Sequence, residues 1–293
     1  MLKYKQNITR KIVEEQYLMN YHQLSQEIFN LIENNFSQAD RNTFLSQLDT
    51  YEIICVKKDT AYEQQLPKNL SINKLPQANE AVNYIIIGKN YNPFLKKTAL
   101  EFHGSNNVFF AANQSKIGVG DIRFYDSEGM VILNENSRHK NWLTVWMHSP
   151  RSCVYWGKDS TSSGVTCVTN DSKGIFVGDD CMVAANTWIR CSDMHDIFDL
   201  DSHEVINNAA DVLIESHVWI AQQSLILKGA KIKSGSIIGA RSLVTGEIPR
   251  FSLATGSPAK VIKQNVSWHR TKEESERKNE LERLNKLLPI QCF

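Results

Sequence analysis

Residues 214–249 read IESHVW IAQQSL ILKGAK IKSGSI IGARSL VTGEIP, six hexads in succession. The first position of each is Ile or Val: Ile214, Ile220, Ile226, Ile232, Ile238 and Val244. The fifth position is Val218, Ser224, Ala230, Ser236 and Ser242, small in four of the five, before Ile248 ends the run. Six aliphatic matches in a row, each about a one-in-five event at ordinary composition, arise by chance on the order of once in ten thousand windows. A period of six fits neither a helix nor an unbroken strand, so it predicts a solenoid. Each hexad supplies a short flat strand and a corner, and three of them close a triangular coil of eighteen residues. The aliphatic residue fills the prism, and the small one fits where the prism narrows. Stacked coils lie about 4.8 Å apart and satisfy one another's backbone hydrogen bonds.

Upstream, VGDDCM and VAANTW (177–188) followed by Ile189 repeat the pattern, with Cys181 and Thr187 at the small position. Between the two runs, residues 191–211 break the period with SDMHDIFDLDSHEVIN (192–207). A long loop thrown out of a regular scaffold is a natural carrier of function.

From about Asn83 to Gly174 short β-rich bursts recur at uneven spacing: NYIIIG, NNVFFA, GMVILN, WLTVWM, SCVYWG and VTCV. This stretch by itself fits a repeat structure, a sandwich or a barrel. Further toward the N-terminus, YEIICVKK (51–58) predicts a strand, and Pro67 and Pro76 bracket a polar linker that places a boundary near residue 80. Ile8, Ile12, Tyr17, Tyr21, Leu24, Ile28 and Leu31 follow helical spacing, and Ser37 with Asp40 signals the cap of a second, short helix. At the other end, Thr271 with Glu274 opens a charged helix through Leu281, Leu284 and Leu288. The expected organisation is a mainly helical region over 1–80, a solenoid over 81–264 and a helix over 265–293.

The chain has 293 residues, 33 basic and 32 acidic, for a formal charge of +1. No general electrostatic pull on nucleic acid or anionic membrane follows from such a balance. No stretch approaches the ~20 apolar residues that span a bilayer, and the N-terminus turns polar before a signal-peptide core could form. The expected location is the cytoplasm, or at most the periphery of the inner membrane. Cys55, Cys153, Cys167, Cys181, Cys191 and Cys292 form no CxxC pair and read as buried free thiols. Glycine is unevenly placed: none of the fourteen precedes Gly88, and twelve lie between Gly118 and Gly256.

The hexads, the SDMHDIFD loop, the HVWI segment (217–220) and GSPAKVIK (256–263) arrive in an order that resembles the left-handed β-helix, hexapeptide-repeat acyltransferases. The loop is most similar to that of enzymes that O-acetylate capsular and other surface polysaccharides, sialic-acid capsules included. The match covers about residues 175–265 and weakens back to about 105, and the region over 1–80 has no counterpart in it. The resemblance implies a mainly β fold, a left-handed parallel β-helix flanked by the helical N-terminal region and the C-terminal helix. It implies acetyl-CoA as co-substrate, no metal, a glycan acceptor, and a homotrimer with sites between subunits.

Residue by residue, the resemblance makes His195 the general base. A neutral imidazole accepts a proton from an acceptor hydroxyl near neutral pH, and the hydroxyl then attacks the thioester directly. Backbone N–H groups are the expected donors to the tetrahedral oxyanion. Trp219 matches a tryptophan beside the reactive end of acetyl-CoA. Ala221 and Gln222 follow it, Gln222 departing from the small residue usual there. Ala240 and Thr245 match positions along the pantetheine arm, and Lys260 and Lys263 match cations that meet the phosphates. Asp193 either orients the imidazole or is an exposed turn residue. His203 and His217 read as surface residues, with His217 and Trp219 sharing an outward strand face. Small-molecule acceptors and a non-catalytic hexad module are the alternatives. A zinc site built from His195, His203 and His217 lacks the required spacing.

Overall fold

The computed structural model describes residues 51–88, 91–275 and 277–279; the expected helices at 8–36 and 37–48, and Cys292, lie outside them. The described residues from Tyr51 to Arg270 belong to one compact unit. Within this unit the chain winds as a left-handed β-helix with three flat faces.

The first face carries nine strands, from Tyr51–Lys57 and Val82–Gly88 to Lys231–Ile232 and Glu247–Ile248. The second carries Thr161–Ser162, Met182–Val183, Trp219–Ile220, Ile237–Ile238 and Ser252–Thr255, closed by antiparallel Lys260–Gln264. The third runs from Leu70–Lys74 through Thr98–Phe102, Lys116–Phe124, Arg138–Met147, Val165–Thr169 and Thr187–Arg190 to Leu225–Ile226 and Leu243–Val244. Apart from that closing strand and Tyr51–Lys57, which runs antiparallel to Val82–Gly88, neighbours are parallel. The bursts between Asn83 and Gly174 are therefore coils of the same solenoid, which removes the sandwich and the barrel. Tyr51–Lys57 pairs along its whole length with Val82–Gly88, so the sheet begins well before the expected boundary near residue 80. Pro67 and Pro76 punctuate the first turn of the stack rather than a linker between domains.

The hexad positions do what the period predicts. Ile220, Ile226, Ile232 and Ile238 are fully buried, and so are the small corner residues Ser224, Ala230, Ser236 and Ser242 to within 1%. The corner serines reach backbone acceptors: the Ser224 hydroxyl donates to the Ala221 carbonyl (2.8 Å), Ser236 to Pro249 (2.6 Å) and Ser242 to Gly239 (2.7 Å). A small polar residue is thus tolerated in the interior because its one donor is satisfied. The fourth hexad position turns the corner with positive φ at His217 (58°), Gln223 (60°), Gly229 (74°), Gly235 (72°) and Arg241 (56°). Glycine occupies two of these, where a left-handed conformation carries no Cβ penalty.

The C-terminal segment departs from the expected helix. Residues 265–270 are not helical, and the described helical residues are Glu274, Ser275 and 277–279. Among the described cysteines, Cys153, Cys167, Cys181 and Cys191 are buried and Cys55 is half-buried, all as free thiols. No described helix is long and apolar enough to cross a membrane.

Candidate active site

The long loop leaves the corner between the third and first faces. Its root is tied across the coil: the Ala210 amide donates to the Cys191 carbonyl (3.0 Å), the Gly229 amide to Asp211 (3.2 Å) and the Gly174 amide to the Asp211 carboxylate (2.7 Å). Inside the loop Asn207 is the organiser. Its side-chain amide donates to the Asp193 carboxylate and to the His195 carbonyl, both at 2.9 Å, and its oxygen accepts the Ile197 amide (2.7 Å). Lys228, from the next coil, pairs with Asp193 (2.5 Å) and also donates to the Asn207 carbonyl. Hydrogen bonds from Lys228 and Asn207 hold the Asp193 carboxyl below its ordinary value. Asp193 therefore anchors the loop to the scaffold and does not hold the imidazole.

His195 itself is exposed, and among the described residues its ring makes no hydrogen bond. Around it the loop presents Ile197, Phe198, Leu200 and Ile206, each more than half exposed. His203 lies exposed in the same loop. Among the described residues no three His, Cys, Asp or Glu side chains are grouped to hold a metal ion.

The residues expected to meet the cofactor gather elsewhere. Trp219 stands on the outer side of the second face in one column with Ile237, Leu253 and Lys263. Ala221 and Gln222, then Ala240 one coil on, follow along the edge between the second and third faces, and Lys260 pairs with Thr255 beside that edge. Small residues dominate this edge: Ala184, Ala185, Ala221, Gly239, Ala240 and Gly256 recur from coil to coil. Exposed Lys260 and Lys263 stand at the end of this edge. Thr245 does not join this group. It follows Leu243–Val244 and lies at the loop-bearing corner.

His195 and the Trp219–Lys260 group thus occupy different edges of one prism, separated by the width of the third face. Four residues of strand make that width about 13 Å. Within one chain the two halves are not brought together.

His217 is not a surface residue. It is 3% exposed, Nδ1 lies 2.7 Å from Asp180 Oδ2 and Nε2 lies 3.1 Å from the Trp268 carbonyl oxygen. Its ring stacks on Trp268 at 4.5 Å and 9°. The physical reason is the corner: at φ 58° His217 precedes the strand instead of belonging to it, so strand alternation with Trp219 does not apply. Trp268 donates from Nε1 to the His217 carbonyl (2.9 Å) and lies 6.2 Å from Trp219, and Arg270 pairs with Asp180 (3.1 Å). The segment at 265–270 therefore buttresses Trp219 from behind. Nothing in the local sequence pattern marks it, because its partners His217 and Asp180 are far away along the chain.

No sequence-family model matches this chain. A polysialic acid O-acetyltransferase of Escherichia coli O1:K1 / APEC is 34% identical over 141 residues, 48% of this chain and 45% of that protein's length. A polysialic acid O-acetyltransferase of Neisseria meningitidis is 32% identical over 174 residues, 59% of this chain and 80% of the relative. This chain belongs to the capsule O-acetyltransferase family. Among solved structures, the polySia specific acetyltransferase NeuO superposes with a TM-score of 0.65 at 29% identity, covering 75% of this chain and all of that one. The coil order here is interrupted once, by the histidine-bearing loop. The chain spans less than half the length of the E. coli relative and four fifths of the meningococcal one.

Proposed function

We propose that this protein transfers the acetyl group of acetyl-CoA to a sugar hydroxyl of a capsular, sialic-acid-type polysaccharide, with His195 as the general base. The observation that carries the reading is the Asp193–Lys228–Asn207 clamp. It fixes the loop while leaving the imidazole of His195 exposed. His195 takes the acceptor hydroxyl proton as the oxygen attacks the thioester carbonyl. The C–S bond then breaks, and the proton passes from the imidazolium to the departing thiolate. Trp219, Ala221, Gln222, Ala240, Lys260 and Lys263 are the residues that hold the donor, with Thr245 near the loop corner of an adjoining subunit.

Because the base and the donor strip lie on different edges of one prism, the functional assembly is a homotrimer with each site shared by two copies. The apolar side chains around His195, Phe198 and Leu200 among them, are what such a loop lays on its neighbour. The reaction belongs to the cytoplasm, or at most to the periphery of the inner membrane, where acetyl-CoA is available. His195→Ala tests the assignment. Release of CoA with polysialic acid as acceptor falls roughly 100-fold or more in kcat, while the mass by light scattering is unchanged. Activity within a few-fold of wild type removes the base, and turnover confined to small acceptors removes the polysaccharide.

A further inference from the structure

The outward side of the third face, in the coils that precede the loop, carries three columns of side chains set by strand register. One column is Glu101, Arg123, Trp146, Val168 and Arg190, and a second contains Asp121, Thr144, Thr166 and Trp188. A third continues past the strand ends as His103, Tyr125 and His148. Five strand positions at about 4.8 Å make the face about 19 Å long, enough for an oligosaccharide and too long for a single sugar.

The face is aromatic yet accessible. Tyr125 stacks on His148 at 4.6 Å and lies 4.9 Å from His103. Trp146 and Trp188 meet edge to face at 6.2 Å, and Trp188 is 39% exposed. Half-exposed rings in a row leave ring faces and edges for an amphipathic partner, and sugars offer both C–H faces and hydroxyls.

Charge gives the row a direction. Asp121 is held by Arg123 at 2.8 Å, and Glu101 lies 3.3 Å from His103 and 4.0 Å from Arg123. At the other end stands Arg190. Among the described residues its guanidinium has neither an ion pair nor a hydrogen bond, and its Nε is buried without a partner. It lies between the row and the catalytic loop, near enough to influence both His148 and Asp193: burial first, then Arg190, lowers the His148 pKa, and Arg190 adds to what holds the Asp193 carboxyl down. A half-buried arginine with an unused donor favours a planar anion, for which its fork geometry is suited.

We propose that this face is the track that holds an acidic glycan acceptor, with Trp146 and Trp188 against sugar rings and Arg190 on a sugar carboxylate next to the His195 loop. The proposal rests on the function given above and adds to it a binding surface outside the reacting centre. It is tested with Arg190→Gln and Trp188→Ala, using polysialic acid and neutral dextran as probes. Tryptophan fluorescence titration measures binding, CoA release gives KM and kcat, and light scattering gives the assembly mass.

Arg190→Gln is expected to raise Kd and KM for polysialic acid about tenfold, as the loss of one charge-assisted contact does, with kcat within about twofold of wild type. Added salt weakens wild-type binding more than binding by this variant, and dextran binds neither. Trp188→Ala is expected to weaken binding several-fold without the change in salt dependence. Kd and KM within twofold of wild type in both variants overturn the track. So does a shift of both variants to a smaller assembly, which makes the face a contact between copies. Arg190-dependent binding of polysialic acid without turnover keeps the track and overturns the acetyl-transfer reading, whereas wild-type turnover insensitive to both substitutions does the reverse.

Discussion

In the C-terminal coils Leu225 pairs with Leu243, a turn of three hexads, whereas in the N-terminal coils Asp121 pairs with Thr144 and Thr144 with Thr166, turns that are longer and unequal. The narrow coils have two-residue strands, and the wide ones include the much longer strands Lys116–Phe124 and Arg138–Met147. Their interiors differ accordingly. Ile220, Ile226, Ile232 and Ile238 fill the narrow prism, while Phe102, Phe109, Phe124 and Trp156 fill the wide one, with Phe102 stacked on Phe124 at 5.2 Å. A prism of three hexads admits only an aliphatic side chain and a small corner residue, and that restriction is what makes the period visible. The wide coils have room for varied side chains, so they impose no short period.

The two interiors should answer differently to the loss of a buried side chain. Ile238→Ala in the narrow prism is expected to cost about 2–5 kcal/mol, because neighbours cannot close the space. Ile122→Ala, at a fully buried site of the wide coils, is expected to cost less, at the lower end of that range, because the longer side chains around it can relax into the space. Urea denaturation measures both, and equal costs would remove the distinction between the two widths.

A further effect comes from the one buried histidine inside the wide coils. His139 is fully buried against Trp156, with Nδ1 2.8 Å from the Ser162 hydroxyl, and burial lowers its pKa to about 3. The unfolded chain binds a proton there below its ordinary pKa near 6.5, while the folded chain stays neutral until about 3. Its contribution to stability is therefore present above about 6.5 and declines as pH falls from there toward 3. Unfolding midpoints in urea are expected to drop between pH 6.5 and 4, with uptake of about one proton on unfolding. The His139→Phe variant should show a flatter profile, and an unchanged slope would mean that the imidazole is not the source.

The same difference explains what the sequence could and could not reveal. The hexads from Ile214 to Pro249 are local, so the fold class and the interrupting loop with His195 stand out. Trp219, Ala221, Gln222 and Ala240 are singled out by the resemblance to the hexapeptide-repeat acyltransferases, and the period alone does not mark them. The burial of His217 does not, because it depends on Asp180 and Trp268, both distant in the chain. Nor does the row from Glu101 to Arg190, whose members are brought side by side only by the longer coils of unequal length. The separation of His195 from Trp219 on two edges likewise emerges only once the strands are assigned to faces.

Mixed assemblies test the separation of His195 from the Trp219 edge. Subunits carrying His195→Ala and subunits carrying the double change Trp219→Ala and Lys260→Ala are co-expressed with different tags, purified as mixed assemblies and compared with each variant alone. If one copy supplies the base and its neighbour the donor strip, some interfaces of the mixed assembly pair an intact His195 with an intact strip. CoA release with polysialic acid then rises well above that of either parent. Activity no higher than the average of the two parents would contradict a site shared between copies.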